Sequence, residues 1–143
     1  MKRSLLDINV LIALLDSNHV LHSSAIRWFS QHGKSGWASC PITQNGCLRI
    51  MAQPNYPNPR PIQAIRERLS QACAGQFHEF WPDDISLLED SRFDSEKLHG
   101  PKQLTDIYLL GLAVRHGGRF VTFDEAMSKE AVNGIDHASL VIL

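Results

Sequence analysis

Ser4-Leu5-Leu6-Asp7-Ile8-Asn9-Val10-Leu11-Ile12-Ala13-Leu14-Leu15 contains two apolar runs of different character. The first, Ser4 to Leu6, is short and stopped by an acid, the pattern of a buried strand. The second follows Asn9 and is too continuous for an exposed element, so it predicts a short buried helix. A strand apolar on both faces belongs in a parallel sheet covered by helices on either side.

The same alternation continues outward from this stretch. Trp37-Ala38-Ser39-Cys40, Phe77 to Trp81, Arg119 to Phe123 and Ser139 to Leu143 read as four further strands. A helix is predicted over Ser23 to His32, and Pro41-Ile42-Thr43 leads into another that runs through Met51, with Thr43 as its N-cap. Ile62, Ile65, Leu69 and Ala72 repeat at helical spacing, and Asp83-Asp84 predicts the acidic first turn of another helix. Thr105 is expected to cap a buried helix from Asp106 to His116, which Gly117-Gly118 ends. Pro54, Pro57, Pro59 and Pro61 make the segment from Gln53 to Pro61 an extended loop. The expected fold class is α/β, a three-layer α/β/α sandwich around a mostly parallel sheet of four to five strands. One domain is expected over residues 1–143.

Composition narrows the function classes. The chain is 43% hydrophobic and 20% charged, with 14 Lys and Arg against 15 Asp and Glu. A formal charge of −1 excludes holding nucleic acid by bulk charge, so any basic surface must be local. Cys40, Cys47 and Cys73 form no CxxC pair and read as reduced cysteines of a cytoplasmic protein. Asp7 interrupts the first apolar run and Ile107 to Val114 is far too short to span a bilayer, so no membrane partner is expected.

Ligands of an open parallel sheet bind beyond the carboxyl ends of its strands. Asp7 ends the first predicted strand, Asp124 follows Phe120-Val121-Thr122-Phe123, and Asp106 starts a helix able to face the same edge. Each alone is equally a cap or turn former. Grouped, they repel unless a cation lies between them, and a hard divalent ion suits carboxylate oxygens. Such an ion activates water for phosphodiester hydrolysis.

These residues lie in motifs that resemble a family. Leu5-Leu6-Asp7-Ile8-Asn9-Val10 resembles the opening of PIN-domain ribonucleases, in which Asn follows Asp by two. Leu104-Thr105-Asp106-Ile107-Tyr108-Leu109 resembles the second acidic motif, and Phe120-Val121-Thr122-Phe123-Asp124 the third. Trp37 to Thr43 matches the strand and turn before the middle helix, and His19 and His22 ahead of Trp28-Phe29 resemble the VapC toxins of bacterial toxin–antitoxin pairs. The likeness runs in order over essentially the whole chain.

The resemblance implies a PIN-like sandwich and a Mg²⁺-dependent endoribonuclease, with Mn²⁺ as a substitute. Asp7, Asp106 and Asp124 would hold the metal, Asn9 would hold the Asp7 carboxylate or a bound water, and Thr122 would support the third motif. A cognate antitoxin, an RNA substrate and a homodimer are the implied partners. The chain departs from the pattern at Gln44, where the middle helix usually supplies Glu. Three carboxylates instead of four should weaken binding of a second ion, with Asp84, Asp94 and Glu125 as candidates to compensate.

For RNA contact, Arg49 on the middle helix is the leading basic residue. Arg66 and Arg68 read equally as the solvated face of an amphipathic helix. Arg60, Lys97 and Lys102 complete the expected basic set, with Tyr56 and Trp81 as candidate stacking rings. His19 and His22 lack the Cys or His partners of a zinc site and are assigned to packing or surface. A haloacid-dehalogenase-type phosphatase fails because Asn9 cannot act as its general acid. A receiver domain fails because no acid lies between Asp16 and Glu67 to accept phosphate. Two alternatives stay open: a catalytically weak PIN domain that binds without cutting, and a metal-dependent phosphomonoesterase.

Overall fold

The computed structural model describes residues 2–143. Five parallel strands form one sheet: β1 Ser4–Leu6, β2 Trp37–Ser39, β3 His78–Phe80, β4 Arg119–Thr122 and β5 Leu140–Ile142. Their order is β3-β2-β1-β4-β5, with Leu5 opposite Ala38 on one side and Phe120 on the other. Five α-helices accompany them among the described residues: α1 Ile8–Leu15, α2 His22–His32, α3 Pro41–Met51, α4 Ile62–Cys73 and α5 Leu104–Arg115.

Alternation along the strands divides the interior into two layers. Leu5 and Phe120 face a core built with Ile107, Leu109 and Leu112 of α5 and with Trp81, Phe93 and Val132. Leu6 and Val121 face the opposite side, against Val10 and Leu11 of α1, Cys47 and Met51 of α3, and Ile65 and Leu69 of α4. The result is the expected α/β/α sandwich, PIN-like in its layers. Helices α1 and α3 cross closely, since a Cβ on Gly46 would lie 2.3 Å from Ile8 Cδ1.

Three local expectations are corrected. Asp83-Asp84 opens no helix: Asp84 instead takes His116 Nε2 at 3.1 Å and Arg115 at 3.7 Å, tying an irregular segment to the end of α5. Thr43 is not the N-cap of α3. Cys40 is, and Thr43 Oγ1 reaches back to accept from the Cys40 N–H at 3.0 Å. Thr105 lies inside α5, which starts at Leu104 after Gln103. No helix among the described residues is long and apolar enough to cross a membrane.

Candidate active site

The sheet reverses direction of growth at β1, which has β2 on one side and β4 on the other. A crevice therefore opens beyond the carboxyl ends of β1 and β4. Asp7 follows β1 and Asp124 lies two residues beyond β4, so one carboxylate comes from each bank of the crevice. Asp106, in the first turn of α5, completes the set. All three line one cleft of about 380 Å³, together with Ile8, Asn9, Ile12 and Ile50.

Asp7 is only 5% exposed and is held at both oxygens. Oδ1 accepts from the Ile8 N–H at 2.7 Å, which makes Asp7 the N-cap of α1, and Oδ2 accepts from Thr122 Oγ1 at 2.6 Å. Thr122 is fully buried, and its oxygen also accepts from the Asp124 N–H at 3.0 Å. One hydroxyl thus connects the first acid to the backbone of the third. Asp124 Oδ1 accepts in turn from the Ala126 N–H at 2.9 Å.

The acids repel one another in a partly dry place. Burial raises the Asp7 pKa above the usual carboxylate range, with Asp124 adding repulsion against the two hydrogen bonds that oppose the shift. Asp106 is pushed up to about 7, first by burial, then by the Asp7 charge, a hydrogen bond to Asp124 and the Asp124 charge. Among the described residues no three acid, histidine or cysteine side chains are closed into a ready-made metal cage. Asp7 and Asp124 are gathered but still committed to their own N–H and hydroxyl partners, while Asp106 bonds to Asp124. Hard oxygen donors under mutual repulsion nevertheless match a divalent cation in kind.

The remaining sequence-derived candidates separate clearly. Asn9 lines the cleft, yet its Oδ1 faces the Phe123 N–H at 3.5 Å and does not hold Asp7, a role that belongs to Thr122 and Ile8. Gln44 does not line the cleft. Its Nε2 donates to Ser39 Oγ at 3.0 Å, and it lines a separate cavity with Arg66, Ser70 and Cys73. Arg68 lies on the α4 flank in yet another cavity, while Arg49 is exposed on the last turn of α3. Trp81 cannot stack a base: it is 2% exposed and packs face to face on His116 at 4.7 Å. Tyr56 does line the cleft, and so does His19, which sequence reasoning assigned only to packing or surface. Their positions depend on how the loops after α1 and α3 fold back, which periodicity does not report.

A PIN domain model matches residues 4–132, which include all three acids. The chain belongs to the PIN-domain family. This PIN domain is 48% identical over 141 residues to Ribonuclease VapC44 of Mycobacterium tuberculosis, covering 99% of each chain. It is 41% identical over 133 residues to Ribonuclease VapC39 of the same organism, covering 92% of this chain and 96% of that one. To Ribonuclease VapC38 it is 39% identical over 122 residues, covering 85% and 84%.

Proposed function

We propose that this PIN domain is an endoribonuclease of the VapC type, the toxin half of a toxin–antitoxin pair, working in the cytoplasm as a homodimer with Mg²⁺ or Mn²⁺. The supporting observation is the convergence of Asp7, Asp106 and Asp124 on one cleft at the switch point of the sheet. It occurs in a chain similar along its whole length to proteins named ribonucleases.

Asp7, Asp106 and Asp124 would hold the ion. When bound, it supplies a Lewis acid that makes water nucleophilic near neutral pH and offsets charge on the phosphodiester. The protein's own residues do the rest. Thr122 and the Ile8 N–H fix the Asp7 carboxylate in one orientation before substrate arrives. Burial and its acidic neighbours raise the Asp106 pKa to about 7, so near neutral pH a cation entering the cleft would favour its deprotonated form. Ile8, Ile12 and Ile50 wall the cleft with apolar surface, which strengthens charge interactions inside. Cys40 and Cys47 are buried, and burial pushes the Cys47 thiol up to about 12, so neither offers a thiolate nucleophile. A carboxylate-lined cleft repels RNA until a cation is present, so metal and substrate binding should be coupled.

The test is incubation of a mixed transfer-RNA pool with purified protein in Mg²⁺, in Mn²⁺ and in chelator, beside a chromogenic phosphomonoester. Discrete fragments that vanish in chelator, without 2′,3′-cyclic phosphate ends, are expected, because water and not the 2′-hydroxyl is the nucleophile. Faster turnover of the monoester than of RNA would overturn the nuclease reading.

A further inference from the structure

The cleft does not end at the carboxylates. His19 and Tyr56 line both it and an adjoining cavity of about 580 Å³, whose other walls include Asn18, Val20, Pro57 and Asn58. The two residues therefore form the saddle between a catalytic lobe and an outer lobe.

Both are oriented by specific bonds. Tyr56 is half-buried, and its hydroxyl donates to Asp16 Oδ2 at 2.5 Å. Asp16 is itself 5% exposed, ends α1 as its C-cap, and accepts at Oδ1 from the Asn18 N–H at 3.0 Å. Burial alone would raise its pKa, but the Tyr56 hydroxyl and the Asn18 N–H hold it below the usual carboxylate value, so Asp16 stays an acceptor. The proline loop is thereby tied to the end of α1, and Tyr56 is fixed beside the cleft. His19 Nδ1 accepts from the Leu21 N–H at 3.0 Å. In the neutral ring the proton then sits on Nε2, which has no protein partner among the described residues. His22, by contrast, is used structurally, with Nδ1 2.7 Å from the Ala13 carbonyl.

We propose that the outer lobe is a base subsite: a nucleotide flanking the cleaved phosphate leaves its stack and lays its base against the Tyr56 ring, while His19 Nε2–H donates to a backbone phosphate oxygen. Asp16 is the positioning residue that holds Tyr56 in place. This rests on the ribonuclease reading and deepens it by assigning a place, outside the carboxylates, to the base beside the cut. An aromatic ring accepts any base by stacking, but only a base free of its duplex can reach it. Asn18 and Asn58 line the same cavity, and an amide side chain offers both a donor and an acceptor to a base edge.

The test is fluorescence anisotropy with two labelled RNA decamers, one of mixed sequence and one with an abasic ribose at every position. Ca²⁺ replaces Mg²⁺, and a gel checks that the RNA stays intact. The natural chain should bind the intact decamer about tenfold or more tightly than the abasic one, as expected for base–aromatic stacking. Tyr56→Leu should abolish that gap and leave abasic binding unchanged, whereas Tyr56→Phe, which keeps the ring but frees it from Asp16, should narrow the gap only in part. His19→Ala should weaken both decamers alike. If Tyr56→Leu does not fold, Tyr56→Trp carries the test, since a larger stacking face should widen the gap, and an unchanged gap would overturn the subsite. Equal loss on both decamers from a Tyr56 substitution, or no loss from Tyr56→Leu, would overturn the subsite alone. A natural chain that binds neither decamer would overturn the ribonuclease reading and the subsite with it.

Discussion

Gln44 stands where the family's middle helix usually supplies an acid, and its amide is engaged elsewhere. Ser39 Oγ receives the Gln44 Nε2 bond and also lies 2.8 Å from His78 Nε2 and 3.7 Å from Cys73 Sγ. This polar cluster joins β2, β3, α3 and α4 beside a cavity distinct from the carboxylate cleft. Gln44→Glu should therefore leave RNA cleavage within about twofold of the natural rate. It should lower stability by about 1 kcal/mol through loss of a hydrogen-bond donor, read from urea denaturation. A large gain in cleavage would mean instead that the natural site is weakened by the missing acid. The three aspartates were legible as a candidate set because each ends an apolar run or opens one. Thr122 was legible through the resemblance as support for the third motif, but the bonds by which its hydroxyl joins Asp7 to the Asp124 N–H were not, since they depend on β4 lying beside β1. Asn9 lies in the cleft as its spacing from Asp7 suggested, but spacing does not show that its amide oxygen faces the Phe123 N–H and not the Asp7 carboxylate.

At the scale of elements, the strands were the most legible features. Most are short apolar runs between breakers, β3 with His78 and Glu79 being the exception, and all five expected strands are present. The helix expected at Asp83-Asp84 failed because Asp84 faces Arg115 and His116 at the end of α5 and does not serve a helix terminus. Ile85 and Phe93 then hold the segment to the same core by burial, without a regular backbone. The cap expected at Thr43 shifted to Cys40 because a polar residue near a helix start can bond backward as readily as it can cap, whereas α5 starts at Leu104, before the cap expected at Thr105. Helix α5 carries Asp106 on a body that is almost wholly buried, with Leu109 at 0% exposure. Leu109→Ala should cost about 2–5 kcal/mol in denaturant unfolding, the usual range for a buried leucine. A cost below 1 kcal/mol would mean that α5 is not packed as described.

At the scale of the whole molecule, crowded carboxylates oppose folding until a cation or protons neutralise them. Asp7 and Asp106 both have folded pKa values above their unfolded ones, Asp106 at about 7. Raised values mean that the folded state binds protons more tightly, so this contribution is complete below about pH 4 and is lost as pH rises toward 7. In chelator, the melting temperature should fall between pH 5 and pH 8. Asp106→Asn should flatten that slope and melt higher than the natural chain at pH 8. A divalent ion should recover the lost stability by mass action. A flat profile for the natural chain in chelator would show that the carboxylates do not repel as their placement requires. The order of strands explains why the acids meet at all, for residues far apart in sequence reach one edge only because β4 pairs with β1. That pairing follows from the layered α/β pattern, but its position next to β1 was not readable from any one run of residues.

The most direct measurement is the rate of RNA cleavage in Mg²⁺ by Asp7→Asn, Asp106→Asn and Asp124→Asn, each confirmed folded by its melting curve, beside the natural chain. If the three carboxylates form a single hydrolytic site, every one of these substitutions should reduce the rate about a hundredfold or more. A folded variant of any of the three that cuts at the natural rate would contradict that claim.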